Sequence, residues 1–311
     1  MIEKHLLERI EEKKRKLDSC RPFPKESLAR LRENVLVSLT YNSNAIEGNS
    51  LTLQETRLVL EEGITIGGKS LREHLEAINH KPALDVVEAE AKAKSKNISE
   101  AFVSYLHAIV LKGISENYAG KYRDTNIRIT GSAFTPPSFH QVPSLMHNFI
   151  TELNEKARKT HPVETAAWAH FKLVDVHPFV DGNGRTARLL MNLILLKHGY
   201  PITIIQKAER KQYYRVLEQA HAGNLTPFAN FVARSVERSL NLYLEALEPN
   251  RSEDDEWISL AEATKHCKHS QEYLSLLARK GKLEAIKIGR NWKTTRKALK
   301  EYLRKVHART A

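Results

Sequence analysis

The stretch His177-Pro178-Phe179-Val180-Asp181-Gly182-Asn183-Gly184-Arg185-Thr186-Ala187-Arg188 lies between two segments whose apolar residues recur at helical spacing. Residues 166–176 precede it. The apolar run 189–197 follows it and leads to Gly199, a residue type that commonly ends helices. We therefore predict that the stretch is a loop between two helices, and that it becomes the first turn of the second one.

Four residues of this loop favour the binding of a polyphosphate. Gly182 and Gly184 allow the backbone to approach a ligand closely. The N–H groups of a helix start have no intrahelical partner and favour anions. Arg185 and Arg188 lie about one helical turn apart, so both side chains can reach the same anion.

Two further residues add chemistry to this anion site. Asp181 offers oxygen ligands suited to Mg²⁺, which normally arrives with phosphates, and His177 can act as a base near neutral pH. Taken singly, a histidine at a helix end is usually structural and Gly-Asn-Gly is usually a turn. The combination of all these residues in one stretch indicates a site for a Mg²⁺-bound polyphosphate beside a general base.

The stretch resembles, at every specified position, the signature of the Fic family, H-P-F-x-D/E-G-N-G-R-x-x-R, and the resemblance extends from about Val35 to Glu237. Fic proteins that resemble this chain transfer AMP from ATP to a hydroxyl of a target protein. The resemblance implies that His177 is the catalytic base and that Asp181 is the Mg²⁺ ligand. It also implies a set of residues that bind the nucleotide: Asp181, Gly182, Asn183, Gly184, Arg185 and Arg188.

Residues 43–49 resemble the inhibitory motif of Fic proteins, S/T-x-x-x-E-G/N, with Ser43, Glu47 and Gly48 at its specified positions. The resemblance implies a pair between Glu47 and Arg188. An arginine tied to a carboxylate cannot hold the γ-phosphate, so ATP would bind in the wrong pose. In some autoinhibited relatives the same glutamate orients water to remove AMP. The alternative is a surface glutamate near a helix end.

Residues 120–137 lack the helical spacing of the segments around them, because apolar and polar residues alternate from Asn126 to Ser132. This alternation predicts a short β-hairpin, and it resembles the Fic flap, whose strand edge pairs with the backbone of the target. The alternative is an ordinary hairpin between helices. The resemblance implies target-binding residues in the flap: Ile127, Arg128, Ile129, Thr130 and Gly131.

Residues 210–222 are predicted to form a helix that carries Tyr213 and Tyr214. In similar Fic proteins a tyrosine pair lies near the adenosine, and a residue further along the helix, commonly Asn, also contacts it. His221 stands at that position here, and a neutral histidine can still donate a hydrogen bond. The alternative is one core tyrosine and one surface tyrosine.

The C-terminal part of the chain has the pattern of a separate small domain. Residues 248–256 are polar and acidic and are predicted to be a linker. Residues 257–263 are predicted to open a helix, and residues 283–294 to form a hairpin wing around Gly289-Arg290. With a helix capped by Ser270 and a final helix, this order resembles excisionase-type and MerR-type DNA-binding domains.

Composition supports this organisation. The net charge is +12, and residues 257–311 hold 14 Lys/Arg against 4 Asp/Glu, so DNA binding is expected there alone.

No apolar run approaches the roughly 20 residues of a membrane span. Cys20 and Cys267 lie far apart in the sequence, which favours free thiols and a cytoplasmic protein. His266, Cys267 and His269 are too crowded to form a metal site without a second ligand cluster.

We therefore predict an all-α fold: a Fic helical core with a short β-hairpin flap, plus a small winged helix-turn-helix domain. The expected division is an N-terminal helical region with the inhibitory helix, the catalytic core with the flap, the linker and the winged domain (1–100, 101–247, 248–256 and 257–311).

The expected function is autoinhibited protein adenylyl transfer with ATP and Mg²⁺, acting on a target hydroxyl docked on the flap. One alternative is transfer of phosphocholine or phosphate, although relatives that phosphorylate depart from the D-G-N-G-R core that this chain keeps. The other is a DNA-binding regulator in which the Fic part is a sensor or scaffold. The target, the acceptor residue, the DNA sequence and the oligomeric state stay open, although autoinhibited relatives are often dimers.

Overall fold

A computed structural model divides the chain into two compact units, Met1–Leu247 and Glu248–Ala311. The predicted linker 248–256 and the wing turn Gly289-Arg290 lie outside the described residues. The structure describes residues 2–93, 95, 97–247, 257–280, 282–288 and 291–307.

Helices build the first unit. They are α1 (Lys4–Ser19), α2 (Lys25–Ile46), α3 (Leu53–Glu62), α4 (Leu71–Lys92), α5 (Glu100–Val110), α6 (Val142–Lys159), α7 (Pro162–Val176), α8 (Asn183–Lys197), α9 (Arg210–His221) and α10 (Thr226–Leu247). Reciprocal capping boxes open α3, between Thr52 and Glu55, and α4, between Ser70 and Glu73. No helix within the described ranges combines the length and apolar character needed to cross a bilayer.

The core of this unit surrounds α8. Its side chains are buried on all sides from Leu189 to Leu195, because α7 and α4 pack against it directly and α5 and α2 also contact it. The sequence predicts a helix for the apolar run 189–197, and a helix that is apolar on nearly all sides belongs in the interior. The loop 177–182 between α7 and α8 therefore has a rigid base, and the N-terminus of α8 lies within reach of α2 and α4.

The predicted flap differs from a hairpin. Residues 121–138 contain a turn, in which the N–H of Ser132 donates to the carbonyl of Ile129 at 3.2 Å, but no strand. Pro136 and Pro137 have no N–H group, so the second half of the segment cannot donate the backbone hydrogen bonds of a β-hairpin. Side-chain hydrogen bonds hold the segment instead. We keep the name flap loop for residues 126–136.

The second unit contains a three-stranded antiparallel sheet in the order β1-β3-β2, with β1 at Trp257–Ser259, β2 at Ala285–Ile288 and β3 at Asn291–Thr295. Three helices accompany it: α11 (Leu260–Ala263), α12 (Gln271–Arg279) and α13 (Arg296–His307). The expected helix start at residue 257 is wrong, because Trp257 pairs with Thr295 and Ser259 caps α11. The hairpin of β2 and β3 and the cap at Ser270 are as predicted.

Candidate active site

The loop between α7 and α8 has a fixed shape. Helix α7 ends at the cap residue His177, whose φ of 49° is left-handed. The N–H of His177 donates to the carbonyl of Leu173 at 2.9 Å. The amide of Asn183 bonds both backbone groups of Phe179, donating at 2.8 Å and accepting at 3.0 Å. The side chain of Asn183 therefore shapes the loop. Only the backbone N–H of Asn183 could serve its expected role in nucleotide binding.

His177 is held in one tautomer. Its Nδ1 lies 3.2 Å from the carbonyl oxygen of Val174, which can only accept, so Nδ1 carries the hydrogen and Nε2 keeps a free lone pair. Burial lowers the pKa of His177 to about 4 against the opposing effect of the Val174 carbonyl. The imidazole is therefore neutral at pH 7 and able to accept a proton at Nε2.

Arg188 is bound on several sides by α2. Its Nη2 donates to the carboxylate of Glu47 at 2.7 Å and to the carbonyl of Ser43 at 2.8 Å, and its Nε donates to the Ser43 hydroxyl at 3.0 Å. The side chain of Arg188 is 3% exposed and that of Glu47 is 32% exposed. Burial is the largest single influence and opposes the charge on Arg188, but Glu47, Tyr213 and Tyr214 together outweigh it and raise the pKa of the guanidinium. The structure thus brings Ser43, Glu47 and Arg188 together.

Glu47 also occupies the start of α8. A Cβ built on Gly184 would overlap the Glu47 carboxylate, so this close approach requires glycine. Gly48 follows Glu47 with a φ of 107°, which turns the chain away after α2. A carboxylate therefore lies at a helix N-terminus, the position where backbone N–H groups favour an anion.

Asp181 accepts hydrogen bonds from three groups. The Gly182 N–H donates at 2.6 Å, Nη2 of Arg185 at 3.3 Å, and Arg72 of α4 also donates. Burial is the largest single influence and opposes ionisation, but Arg185, the Gly182 N–H and Arg72 together outweigh it and lower the pKa of Asp181. The carboxylate is ionised and its side chain remains 40% exposed. Its oxygens are therefore partly exposed to solvent but engaged by hydrogen-bond donors.

Arg185 has donors to spare. Its side chain is 2% exposed, and Nη1 lies 3.2 Å from a carboxylate oxygen of Glu76 in α4. This contact is an ion pair that lacks the alignment of a hydrogen bond. Within the described part of the chain, Nε and Nη1 of Arg185 therefore make no hydrogen bond. Buried donors without acceptors are costly, so an anion at this point would satisfy them. Sequence reasoning missed Arg72 and Glu76, because their spacing indicates only a pair along one helix.

A second histidine supports the loop from below. The Nδ1 atom of His107 accepts from the Gly120 N–H at 2.9 Å, so its Nε2–H donates to the carbonyl of Asp181, also at 2.9 Å. Its ring stacks on Phe179 with centroids 3.6 Å apart. His107 lies 70 residues before the signature, and no short-range pattern pointed to it.

The three aromatic residues of α9 have different surroundings. Tyr213 is buried, and its hydroxyl lies 3.1 Å from His170 and 3.4 Å from Arg188. Tyr214 is half-buried, and its hydroxyl donates to the carbonyl of Ile46 at 3.2 Å, beside Glu47. Both tyrosines therefore border the Glu47–Arg188 pair.

His221 is already engaged on two sides. Its Nδ1 lies 3.2 Å from the carboxylate of Asp175, and its ring stacks on Phe134 of the flap loop with centroids 3.6 Å apart. Because the carboxylate accepts, Nδ1 carries the hydrogen, and a neutral His221 can only accept a hydrogen bond at Nε2 rather than donate one to a nucleotide as expected.

The flap residues are displayed at the surface. Ile127 and Ile129 are half-buried, whereas Arg128, Thr130 and Gly131 are exposed. The Ser132 hydroxyl donates to Glu218, which attaches the far end of the loop to α9. This arrangement leaves the backbone of residues 127–131 free of strand pairing within the described structure.

Comparison with known proteins identifies the family. A model of the Fic/DOC family matches residues 97–195. The crystal structure of a Fic domain containing signaling protein from Bacteroides thetaiotaomicron is 31% identical, with a TM-score of 0.72 over 78% of this chain and 98% of that chain. The chain belongs to the Fic family.

Two more Fic proteins extend this similarity. Fic-1 from C. elegans, solved for residues 134–508, is 36% identical with a TM-score of 0.71, covering 78% of this chain and 71% of that one. A protein adenylyltransferase Fic from Nematostella vectensis is 39% identical over 244 residues, which is 78% of this chain and 56% of the relative. The chain spans about half the length of the curated relatives it matches.

Proposed function

We propose that this Fic protein is a protein adenylyltransferase, which transfers AMP from ATP to a Tyr, Ser or Thr hydroxyl of a target protein. The observation that carries the proposal is a neutral His177, whose free Nε2 adjoins a helix N-terminus suited to an anion. Relatives at 37–40% identity are named protein adenylyltransferase Fic, which supports the same activity.

In the proposed reaction His177 acts as general base. The target hydroxyl oxygen attacks the α-phosphorus of ATP, its proton passes to Nε2 of His177, and the bond from the α-phosphorus to the bridging oxygen breaks. Pyrophosphate leaves. The unused donors of Arg185, and Arg188 once it is released, would hold the β- and γ-phosphates. The N–H groups from Gly182 to Gly184 would steady the same phosphates.

The residues present fit a Mg²⁺ ion. Asp181 is ionised, partly exposed and adjacent to the phosphate-binding donors, and Mg²⁺ bound with a nucleotide commonly uses one or two carboxylates. Asp181 would hold the ion, which would neutralise charge on the phosphates. Arg72 and Arg185 would first have to release part of the carboxylate.

We also propose that the protein is held inactive by Glu47. Its carboxylate takes Nη2 of Arg188 and lies against Gly184, where phosphate oxygens would otherwise find donors. After transfer, the same carboxylate could orient water for removal of AMP, since it is partly exposed beside the site. The flap loop would dock the target.

The class of reaction is tested by the position of the label. The Glu47→Gly protein is incubated with ATP labelled either at the α- or at the γ-phosphate. We expect covalent label from α-labelled ATP only, and none in Glu47→Gly/His177→Ala. Label from γ-labelled ATP would mean phosphate transfer, and no label from either would contradict adenylyl transfer.

A further inference from the structure

Arg123 is a buried cation without a carboxylate partner among the described residues. It is 2% exposed, and burial lowers the pKa of its guanidinium. Nε donates to the carbonyl of His177 at 2.9 Å, Nη1 donates to the carbonyl of Thr125 at 3.1 Å, and Nη2 donates to the carbonyl of Pro137. Burying a guanidinium is costly unless its donors are satisfied, and here three carbonyls satisfy them.

The three carbonyls belong to two functional parts of the molecule. Thr125 and Pro137 are the residues that flank the flap loop, so one guanidinium closes both ends of that loop. The third acceptor is His177 itself, and the N–H of Arg123 donates to the next carbonyl, that of Pro178, at 2.9 Å. Arg123 thus joins the flap loop to the two peptide units on either side of Pro178, the first of which contains the carbonyl of His177.

The backbone of His177 needs such support. A non-glycine residue with a φ of 49° lies in a sparsely populated region of backbone conformation. A donor fixed on its carbonyl favours this conformation over more relaxed ones. The contacts of the flap loop with α9, from Ser132 to Glu218 and from Phe134 to His221, hold the far side of the loop and involve no atom of His177.

We propose that Arg123 is a positioning residue that fixes the flap loop and the backbone of His177 in one relation, so that a polypeptide bound along the loop presents its hydroxyl to Nε2. This inference rests on the proposed adenylyl transfer. Lysine could keep the charge, but a single ammonium cannot span three carbonyls as the planar guanidinium does. Arg123→Lys therefore separates geometry from charge.

The experiment compares Arg123→Lys and Arg123→Gln, each in the Glu47→Gly protein, with Lys121→Gln as control. Lys121 is an exposed cation two residues away. Two quantities are measured: AMP self-incorporation as a function of ATP concentration, and the rate of tryptic cleavage after Arg128, an exposed residue of the flap loop. Mass spectrometry identifies the cleavage site, and thermal unfolding checks the fold.

We expect both Arg123 variants to lose about 10²-fold in the maximal rate, because a small displacement of a catalytic group has an effect of this size. The KM for ATP should stay within about twofold, because the phosphate-binding groups are untouched. Cleavage after Arg128 should rise at least about tenfold, with other cleavage sites unchanged. Lys121→Gln should match the parent.

Three results would overturn the inference: an unchanged rate, unchanged cleavage after Arg128, or faster cleavage throughout the first unit, which indicates a general structural role. If Arg123→Gln fails to fold, Arg123→Lys decides. If the Glu47→Gly parent itself incorporates no AMP, the proposed function fails. Cleavage after Arg128 then still decides whether Arg123 holds the loop.

Discussion

At the scale of single residues, hydrogen bonds keep each reacting group in one chemical form. The Val174 carbonyl fixes the tautomer of His177, and burial keeps its imidazole neutral. The Glu47 carboxylate and Ser43 together occupy Nε and Nη2 of Arg188. The proposed base is therefore able to accept a proton in this structure, whereas the proposed γ-phosphate ligand is occupied.

Removing the base should stop transfer without stopping nucleotide binding. In the Glu47→Gly protein, His177→Ala should lower AMP incorporation by about 10²–10⁴-fold, the usual contribution of a general base. Calorimetry should find ATP affinity nearly unchanged, because the arginines and loop N–H groups remain. His147→Ala, which removes an exposed histidine of α6, is the control. Full activity without His177 would rule out the mechanism.

The pH dependence of transfer should reflect a lowered pKa. Only neutral His177 accepts a proton, and its pKa of about 4 leaves about nine-tenths of it neutral at pH 5. A histidine with an ordinary pKa of about 6.5 would be only about 3% neutral there. The rate of the Glu47→Gly protein should therefore change little from pH 7 to pH 5 and fall as pH drops through about 4. A half-maximal rate near pH 6.5 would contradict this.

Residues whose partners are near in sequence, or whose motif is specific, could be predicted. The signature residues and the Glu47–Arg188 pair were expected from the sequence, and the structure brings them together. Arg72, His107 and Arg123 were not foreseen. Their partners in the loop between α7 and α8 lie 54 to 109 residues away along the chain, and no spacing rule connects such positions.

At the scale of elements, the site lies where the C-terminus of α2 meets the N-terminus of α8. The last turn of α2 supplies Ser43, and the residue after the helix is Glu47. The first turns of α8 supply Arg185 and Arg188. The proposed inhibitory contact is therefore a contact between two helix ends, and its strength depends on how firmly α2 is held.

Removing the hydroxyl of Ser43 should weaken this helix contact. Ser43→Ala leaves Nε of buried Arg188 without its acceptor at 3.0 Å, and an unsatisfied buried donor costs about 1–3 kcal/mol. The free energy of unfolding, measured with denaturant, should fall by that amount. Ser144→Ala, which changes an exposed serine in the first turn of α6, should alter it little. Equal stability of the two variants would mean that the hydroxyl bond contributes nothing.

Two element predictions differed from the structure, and each has a physical reason. The alternation from Asn126 to Ser132 predicted a strand, but the two prolines that follow cannot complete a ladder, and Arg123 anchors the segment instead. Trp257 was expected in a helix, but its partner Thr295 lies 38 residues away in β3. Strand pairing depends on distant residues, whereas the helix caps that were predicted correctly are local.

At the scale of the whole molecule, most of the net positive charge lies in the C-terminal residues 257–311. Residues 257–311 carry 14 Lys/Arg against 4 Asp/Glu, and α12 precedes the hairpin of β2 and β3. We propose that this unit binds duplex DNA through phosphate contacts, as in winged helices.

Affinity for duplex DNA should fall by about 10³-fold or more between about 50 and 200 mM salt if six or more phosphates are contacted. A chain without residues 250–311 should not bind. Absence of a mobility shift at low salt would contradict this proposal and favour a protein-binding role.

The Glu47 carboxylate is proposed to restrain an otherwise complete enzyme. AMP incorporation from α-labelled ATP tests this restraint, measured for wild type, Glu47→Gly and Glu62→Gly at equal protein and Mg²⁺. Glu62 is a matched control, because it is an exposed glutamate that also precedes a helix-ending glycine, Gly63.

We expect Glu47→Gly to raise incorporation at least about tenfold, which requires only about 1.4 kcal/mol of lost restraint, and to require His177. Glu62→Gly should match wild type. Equal incorporation by wild type and Glu47→Gly, with His177 required in both, would mean that Glu47 does not restrain the protein.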